Sequence, residues 1–259
     1  MNGLFHTSDV PGSPSSAFRF IMGHGWGQSG AAFRPLAEAL QTVAPSTLID
    51  FPGFGASPLP PVTWGTADYA DALYEFLSGM HSSTQLIWVG HSFGGRVGLQ
   101  LAARHPGVFS AMVLIAAAGL RRKRSPMQRA QIAARRIVYQ TAKKFIRSEA
   151  NLQKLRERMG SVDYRAAGAM RPILTRVVNE DLSQVAQAVS CPVLLIYGKE
   201  DTETPVEFGQ RFQSLIPNAE LVVLEGFGHL SILIDGRHQL SARIKRFVTS
   251  LAPAITTTS

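Results

Sequence analysis

Hydrophobic and polar positions alternate along this chain in two different periods. Six short runs of apolar and β-branched residues are too short for typical helices and predict β-strands. Between them, apolar residues recur at the helical period and predict amphipathic helices. The predicted strands are residues 18–22, 46–50, 86–89, 111–115, 193–197 and 221–224, and the predicted helices are 31–40, 66–77, 94–104, 206–215 and 239–251. Strand, loop and helix recur in that order, which predicts an α/β fold with a mostly parallel sheet and crossover helices.

The segment between about residues 120 and 185 breaks this pattern. It contains no convincing strand and is rich in Ala, Arg, Lys, Gln, Leu and Met, which favours helix. We therefore predict a helical insertion at 120–185 that divides one core into residues 1–119 and 186–259. Two stripes recur every seven residues in the insertion: an apolar one at Val138, Phe145 and Leu152, and a basic one at Arg129, Arg136 and Lys143.

Length and composition exclude several classes of protein. The chain has 259 residues, of which 45% are hydrophobic and 17% are charged, which excludes a disordered or collagen-like chain. No apolar run approaches the roughly 18 residues of a membrane-spanning helix. Cys191 is the single cysteine and cannot form an intramolecular disulfide, and the first ten residues lack the pattern of a signal peptide. We expect a cytoplasmic protein.

Positive charge is concentrated in the predicted insertion. The net charge is +8, and residues 121–171 contain 15 basic and 3 acidic side chains. A basic face at Arg129, Arg136 and Lys143 is compatible with three interpretations: a solvated surface, a docking surface for an acidic macromolecule such as acyl carrier protein, or a membrane surface. No nucleic-acid-reading motif accompanies the charge, so we expect no nucleic-acid partner.

The strongest chemical signal is a serine between a predicted strand and a predicted helix. The sequence Leu-Ile-Trp-Val-Gly-His-Ser-Phe-Gly-Gly at 86–95 places Ser92 in the motif Gly90-x-Ser92-x-Gly94. Such a turn presents the hydroxyl at the carboxyl edge of the sheet, and glycines on either side leave space for neighbouring chains. The helix that follows adds a positive N-terminal dipole, which favours developing negative charge. We predict that Ser92 is a nucleophile.

An oxyanion site is predicted beside this serine. The sequence Met-Gly-His-Gly-Trp-Gly at 22–27 follows the first predicted strand, where a second backbone donor would be required. We assign the two donors to the N–H groups of Trp26 and Phe93. The alternative is a plain glycine turn with Trp26 as a core side chain.

A base and a residue to orient it follow the last two predicted strands. His229 lies in Glu-Gly-Phe-Gly-His-Leu at 225–230, and Asp201 lies in Gly-Lys-Glu-Asp-Thr-Glu-Thr-Pro at 198–205. The order Ser92, Asp201, His229 is that of a nucleophile-elbow hydrolase. The sequence shows no zinc-ligand spacing and no dinucleotide fingerprint, so we expect neither a metal nor an organic cofactor.

These motifs resemble the alpha/beta-hydrolase superfamily over essentially the whole chain. The loop Asp-Phe-Pro-Gly-Phe-Gly-Ala-Ser-Pro at 50–58 also resembles a loop of that family, which helps to shape its acyl pocket. The resemblance implies an eight-stranded sheet with a helical cap inserted after the sixth strand, where the basic segment falls. Because the first predicted strand begins at residue 18, the leading hairpin of the family must be shortened or partly absent.

Within the superfamily, the chain resembles the pimeloyl-acyl-carrier-protein methyl ester esterases more weakly. That resemblance implies a basic cap that holds an acidic carrier protein, although His91 and Phe93 flank Ser92 where the best-known members carry Trp and Leu. The expected function is hydrolysis of a small or acyl-chain carboxylic ester by Ser92, His229 and Asp201. The alternatives are a carbon–carbon bond hydrolase or cofactor-free perhydrolase with the same three residues, and a ligand receptor with little or no catalysis.

Overall fold

A computed structural model describes residues 3–79, 84–122 and 162–255, together with isolated positions between 127 and 148. The chain forms two compact units. Residues 1–120 and 180–259 form the first unit, and residues 121–179 form the second.

The first unit is built on a seven-stranded sheet in the order β1-β3-β2-β4-β5-β6-β7, within the described residues. Every pair of neighbouring strands is parallel except β1 and β3, which are antiparallel. The strands are β1 (His6–Val10), β2 (Phe18–Gly23), β3 (Ser46–Asp50), β4 (Gln85–His91), β5 (Ala111–Ile115), β6 (Val193–Gly198) and β7 (Ala219–Leu224). The helices of this unit are α1 (Arg34–Leu40), α2 (Thr66–Ser78), α3 (Phe93–Arg104), α6 (Ser183–Gln187), α7 (Val206–Leu215), α8 (Ser231–Ile234) and α9 (Arg237–Ile255), and a short 3-10 helix, Gly30–Phe33, precedes α1.

The predicted α/β class is confirmed, and each of the six predicted strands is present. The family resemblance implied eight strands, whereas the described residues form seven. Within residues 3–17, β1 is the one strand that precedes β2, and the periodicity did not predict it. Its sequence, His-Thr-Ser-Asp-Val, is mostly polar because it is an edge strand with a single neighbour, β3. A strand of this kind carries little hydrophobic signal.

The central strands are buried on both faces, which explains why they are continuous apolar runs rather than alternating ones. All residues of β5 and β6 are buried. Helices α1 and α9 pack together, and α2 and α3 pack together. The carboxyl ends of the parallel strands all reach the same edge, so the loops after β2, β4, β6 and β7 are neighbours there.

Glycine residues line the contact between helix α3, the sheet and the Trp88 side chain. The indole Nε1 of Trp88 donates a hydrogen bond to the carbonyl oxygen of Gly94 at 3.2 Å. A Cβ atom added to Gly98 or to Gly90 would collide with the same indole, and one added to Gly23 would lie 2.5 Å from its ring carbons. The fully buried Trp88 therefore fills a space that these glycines create.

The chain leaves the first unit after Leu120 and rejoins it at Glu180, close to the same point. The Leu182 N–H donates to the Gly119 carbonyl at 2.8 Å. The Glu180 carboxylate accepts hydrogen bonds from the backbone N–H of Thr66, at 3.0 Å, and from its hydroxyl. These contacts fasten the returning chain to the start of α2.

The second unit contains two described helices, α4 (Val162–Ala166) and α5 (Arg171–Asn179), joined by a 3-10 helix at Gly168–Met170. The Arg171 guanidinium donates to the Tyr164 carbonyl at 3.2 Å and lies over the Tyr164 ring. The predicted apolar stripe (Val138, Phe145, Leu152) and basic stripe (Arg129, Arg136, Lys143) lie outside the described residues. The helical cap at 120–185 stays a prediction.

Across the part of the chain that the structure describes, we find no helix with both the length and the apolar character that crossing a membrane requires. The cytoplasmic location stays a prediction.

The contact between α3 and Trp88 yields a test of stability. We expect Gly98→Ala to lower the free energy of unfolding by about 1–3 kcal/mol, because the added methyl overpacks the indole. Helix propensity alone would favour alanine here by about 1 kcal/mol. Urea denaturation measures the difference, and Gly98→Ala should cost less in a Trp88→Phe background. Gly79→Ala is the control, since a Cβ atom added there would lie 3.4 Å from the Phe76 carbonyl oxygen, an ordinary van der Waals distance. Equal stability of Gly98→Ala and wild type would contradict this packing.

Candidate active site

Ser92 lies in a strained turn between β4 and α3. Its backbone has φ 49 and ψ −103, a left-handed conformation that non-glycine residues rarely adopt. Backbone hydrogen bonds hold it on both sides. The Ser92 N–H donates to the Ile115 carbonyl at 3.1 Å, and the Ser92 carbonyl accepts the N–H groups of Gly95 at 3.1 Å, Ala118 at 3.2 Å and Arg96 at 3.3 Å. A Cβ on Gly94 would collide with the Gly23 carbonyl, so glycine is required there. The turn leaves the serine half-buried at the carboxyl edge of the sheet.

Asp201 and His229 are joined by a hydrogen bond across the loops that follow β6 and β7. The His229 Nδ1 lies 2.7 Å from the Asp201 Oδ2, and both side chains are buried. The other carboxylate oxygen, Oδ1, accepts the backbone N–H groups of Glu203 at 2.7 Å and Thr204 at 2.8 Å. Each oxygen of Asp201 is therefore satisfied, and the carboxylate fixes Nδ1 of His229 as the protonated nitrogen.

The loop carrying His229 can approach Asp201 because β6 ends in glycine. A Cβ on Gly198 would collide with the carbonyl of Phe227. The Phe227 carbonyl accepts a hydrogen bond from the Glu200 N–H at 3.1 Å, and the Lys199 N–H donates to the Leu224 carbonyl at 2.9 Å. These contacts bind the two loops side by side, so the spacing of the Asp201 and His229 side chains is set by the backbone.

Asp201 is ionised in this arrangement. Burial alone would raise the pKa of its carboxyl, but the hydrogen bond and charge of His229 together with the amide and hydroxyl of Thr204 outweigh burial. The net effect holds the pKa of Asp201 below its usual value. An anionic carboxylate here can stabilise a cation on the His229 ring.

Thr204 connects three strand ends through one hydroxyl. Its Oγ1 lies 2.9 Å from the Ala116 carbonyl oxygen, 2.8 Å from the Asp201 Oδ2 and 3.1 Å from the His229 Nδ1. Ala116 follows β5 and is the other described non-glycine residue with positive φ, at 46. Thr204 therefore holds the Asp201–His229 pair against the end of β5.

His91, the residue before Ser92, contacts the loop of His229 directly. The His91 Nε2 lies 3.0 Å from the His229 carbonyl oxygen, and the two ring centroids are 4.9 Å apart. Ser92 and His229 thus lie at the same edge of the sheet. Within the described part of the chain, the Ser92 hydroxyl is hydrogen-bonded to no other side chain, and the His229 Nε2 lies 3.6 Å from a Glu203 carboxylate oxygen.

The loop after β2 is fixed by His24. The His24 Nδ1 donates to the Gly25 carbonyl at 2.7 Å, and its Nε2 accepts the Phe51 N–H at 3.1 Å. The His24 carbonyl accepts the Gly94 N–H at 3.0 Å, which ties this loop to the first turn of α3. The Gln28 side chain accepts the Gly25 N–H at 3.0 Å. The predicted donor Trp26 lies inside this fastened loop.

Aromatic rings pack around the two predicted oxyanion donors. The rings of Trp26 and Phe93 are in edge contact, with centroids 5.5 Å apart, and Phe54 lies 4.9 Å from Trp26. Phe93 also contacts Phe51 and Tyr69, each with centroids 5.2 Å apart. The segments of Trp26 and Phe93 are therefore adjacent and held by an apolar cluster.

The 50–58 loop is organised by the Asp50 carboxylate. Its Oδ1 accepts the Gly30 N–H at 2.7 Å, and its Oδ2 accepts the Ala56 N–H at 2.9 Å. A Cβ on Gly55, which has φ 55, would collide with this carboxylate. Burial alone would raise the pKa of Asp50, but these amides, the nearby His24 and the His6 side chain outweigh it and lower the pKa. The loop that carries Phe51 and the loop that carries Trp26 are thereby connected.

Sequence reasoning did not assign Thr204, Glu203 or His91. Thr204 follows Asp201 by three residues, a spacing at which a hydroxyl and an amide commonly bond a carboxylate, so a local signal for Thr204 existed. His91 and Glu203 contact His229 only through the fold, and their sequence positions carry no comparable signal. Among the described residues, no group of three or more His, Cys, Asp or Glu side chains is arranged to hold a metal ion.

The arrangement combines a serine in a strained turn with a buried imidazole held by a carboxylate. These are the groups that activate a hydroxyl for nucleophilic attack on a carbonyl carbon.

Comparisons with known proteins agree with the fold. A sequence model of the alpha/beta hydrolase family matches residues 20–243. A protein named pimeloyl-[acyl-carrier protein] methyl ester esterase from Chromobacterium violaceum is 28% identical over 230 residues, which cover 82% of this chain and 87% of that protein. Its namesake from Vibrio cholerae is 28% identical over 240 residues, covering 83% and 88% respectively. A solved thermophilic esterase from Thermogutta terrifontis matches with a TM-score of 0.68 at 20% identity, covering 95% of this chain and 93% of that one, and this likeness bears on the fold.

Two buried histidines make the stability of the protein depend on pH. Burial lowers the pKa of His24 to about 4 and that of His91 to about 3, from an ordinary value of 6.5. Both rings stay neutral in the folded protein at pH values where the unfolded chain protonates them. Their contribution to stability is complete above pH 6.5 and declines as the pH falls toward 4, by about 1.4 kcal/mol per pH unit for each ring.

Urea denaturation between pH 8 and 4.5 measures this slope. We expect His24→Asn to reduce it by about 1.4 kcal/mol per pH unit below pH 6.5, whatever the variant costs at neutral pH. Gln239→Asn changes an exposed side chain that does not ionise, and it should leave the slope unchanged. An identical slope in His24→Asn and wild type would show that His24 is not buried in the neutral form.

Proposed function

Because the chain belongs to the alpha/beta hydrolase family, we propose that it hydrolyses a carboxylic ester through an acyl-serine intermediate formed on Ser92. An esterase-type hydrolase is also what the names of its relatives indicate. The observation that carries the proposal is the 2.7 Å hydrogen bond between Asp201 and His229 next to the strained Ser92 turn. We assign Ser92 as nucleophile, His229 as general base and acid, and Asp201 as the group that orients the imidazole.

The reaction proceeds in two halves. The His229 Nε2 takes the hydroxyl proton as the Ser92 Oγ attacks the ester carbonyl carbon, whose π electrons move onto the oxygen. The tetrahedral intermediate collapses, and the alcohol leaves with the proton from His229. His229 then deprotonates a water molecule, whose oxygen attacks the acyl carbon. As the second tetrahedral intermediate collapses, the bond from the acyl carbon to the Ser92 Oγ breaks, His229 returns the proton to Oγ, and the acid leaves. Asp201 stabilises the imidazolium in each half, in keeping with its lowered pKa.

The N–H groups of Trp26 and Phe93 hold the oxyanion in this mechanism. Phe93 is the first residue of α3, so its N–H has no partner within the helix. Neither amide has a hydrogen-bond acceptor among the described residues, and the aromatic cluster keeps the two segments adjacent. Removing one such donor typically costs about 10²–10³-fold in turnover.

The substrate we favour is an acyl-chain ester carried by an acidic protein. Two relatives that cover most of this chain are named for a methyl ester attached to acyl carrier protein. The concentration of basic residues between 121 and 171 fits an acidic carrier. The basic residues assigned to this contact are Arg129, Arg136 and Lys143.

A serine substitution tests the reaction. We expect Ser92→Ala to abolish hydrolysis of short p-nitrophenyl esters and to prevent labelling by a fluorophosphonate, because no other group then attacks the carbonyl. Asp201→Asn should lower kcat by about 10⁴-fold, since the imidazole loses its orienting anion. Release of p-nitrophenolate and mass spectrometry of the labelled protein measure both effects.

Ser214→Ala is the matched control for this experiment, because it removes an exposed serine hydroxyl on α7, and it should retain turnover and labelling. Wild-type turnover no faster than that of Ser92→Ala would reject the mechanism and favour the receptor alternative. A carbon–carbon bond hydrolase would be recognised by labelling of Ser92 without ester turnover.

Charge reversal tests the carrier. We expect the combined substitution of Arg129, Arg136 and Lys143 by glutamate to raise KM for an acyl-carrier-protein methyl ester by about tenfold, because long-range attraction is lost. The KM for p-nitrophenyl esters should not change. Arg246→Glu, an exposed arginine on α9, is the control and should leave both KM values unchanged. An equal effect on both substrates would reject the carrier interaction.

A further inference from the structure

His91 lies in the space between the Ser92 turn and the loop of His229. It is the last residue of β4, and only 1% of its surface is exposed. Its Nε2 lies 3.0 Å from the His229 carbonyl oxygen. Because a carbonyl can only accept, this nitrogen must carry the proton, and the contact fixes the tautomer of the ring.

The opposite nitrogen of His91 faces the predicted oxyanion loop. Nδ1 is buried and has no hydrogen-bond partner among the described residues. A Cβ added to Gly25 would lie 2.7 Å from this nitrogen, so the ring edge contacts the backbone of the loop. The imidazole of His91 thus spans from the segment that precedes Trp26 to the backbone of His229.

The charges around His91 favour a neutral ring. The groups that face it are His229 and Asp201, on the loops after β7 and β6, and His24, on the loop after β2. Burial lowers the pKa of His91, the nearby His229 and His24 lower it further, and the Asp201 carboxylate and the His229 carbonyl oppose them only in part. A ring that stays neutral at working pH can hold a hydrogen bond without exchanging protons with His229.

We propose that His91 is a positioning residue for the reaction, holding the backbone of His229 at a fixed distance from Ser92 and from the loop of Trp26. The proposal rests on the function proposed above. It gives His91 no contact with substrate and no part in proton transfer. This role requires the N–H of the His91 Nε2, since that group is bound to the His229 carbonyl. The role also requires a side chain the size of a ring, which fills the space beside Gly25.

Removing the donor should affect the rate of the chemical step and not substrate binding. A shift of about 1 Å in a catalytic group can cost about 10²-fold. We therefore expect His91→Phe, which keeps a ring but lacks the N–H, to lower kcat by about 10–100-fold while KM changes by less than about twofold. His91→Gln places an amide N–H near the position of Nε2 and should recover most of the lost kcat.

Three measurements test the proposal with the full chain. Steady-state kinetics on p-nitrophenyl esters give kcat and KM for wild type, His91→Phe and His91→Gln. Fluorophosphonate labelling gives the reactivity of Ser92 in each variant, and should fall in parallel with kcat. NMR of 15N-histidine-labelled wild type should show an Nε2–H resonance of His91 that is unchanged between pH 6 and 8 and is absent from His91→Gln.

The outcomes separate this proposal from the one it rests on. A wild-type kcat in folded His91→Phe, an effect confined to KM, or a His91→Gln variant as slow as His91→Phe would overturn the role of His91. If His91→Phe fails to fold, two other results would still overturn the role of His91. One is an Nε2–H resonance that disappears between pH 6 and 8, and the other is a low kcat in His91→Gln. Turnover that survives in Ser92→Ala would instead reject the proposed function itself.

Discussion

The left-handed backbone of Ser92 is the constraint on which the site depends. Few residues other than glycine accept φ 49, and the turn persists because the carbonyl of Ile115 and the amides of Gly95 and Ala118 hold it from both sides. The sheet supports it from below, since Trp88 and the glycines around it bring α3 against β4. The buried core thus supplies the free energy that keeps the serine in a strained conformation at the rim.

The remaining groups reach that rim because parallel strands end together. Asp201, Thr204 and His229 follow β6 and β7, and their hydrogen bonds return to the end of β5 through Ala116. The lowered pKa values have opposite consequences for the charge of two groups at this edge. The Asp201 carboxylate remains charged, whereas the buried ring of His91 stays neutral. One edge of the sheet therefore combines a fixed anion with a fixed neutral donor on either side of His229.

Hydrophobic periodicity predicted most of the sheet because its strands are buried on both faces. The bounds of β3, β5 and α7 are those predicted, whereas the polar edge strand β1 gave no such signal. Motif context predicted that Asp201 and His229 would be neighbours, and they hydrogen-bond. The contact of His91 with the His229 carbonyl joins residues 138 positions apart, and neither propensity nor spacing encodes it. Contacts between loops of this kind depend on the relative positions of the strand ends, which are fixed only in the folded sheet.

The close pairing of Gly119 with Leu182 has a consequence for how this architecture can vary. Because the two residues are hydrogen-bonded to each other, the ends of the segment between them stay together whether that segment is long or short. The entropic cost of such a loop grows only slowly with its length, by about 0.6 kcal/mol for each doubling. The segment between Gly119 and Leu182 can therefore change in length and sequence at a small entropic cost, while the sheet and the loops that carry Ser92, Asp201 and His229 keep their positions.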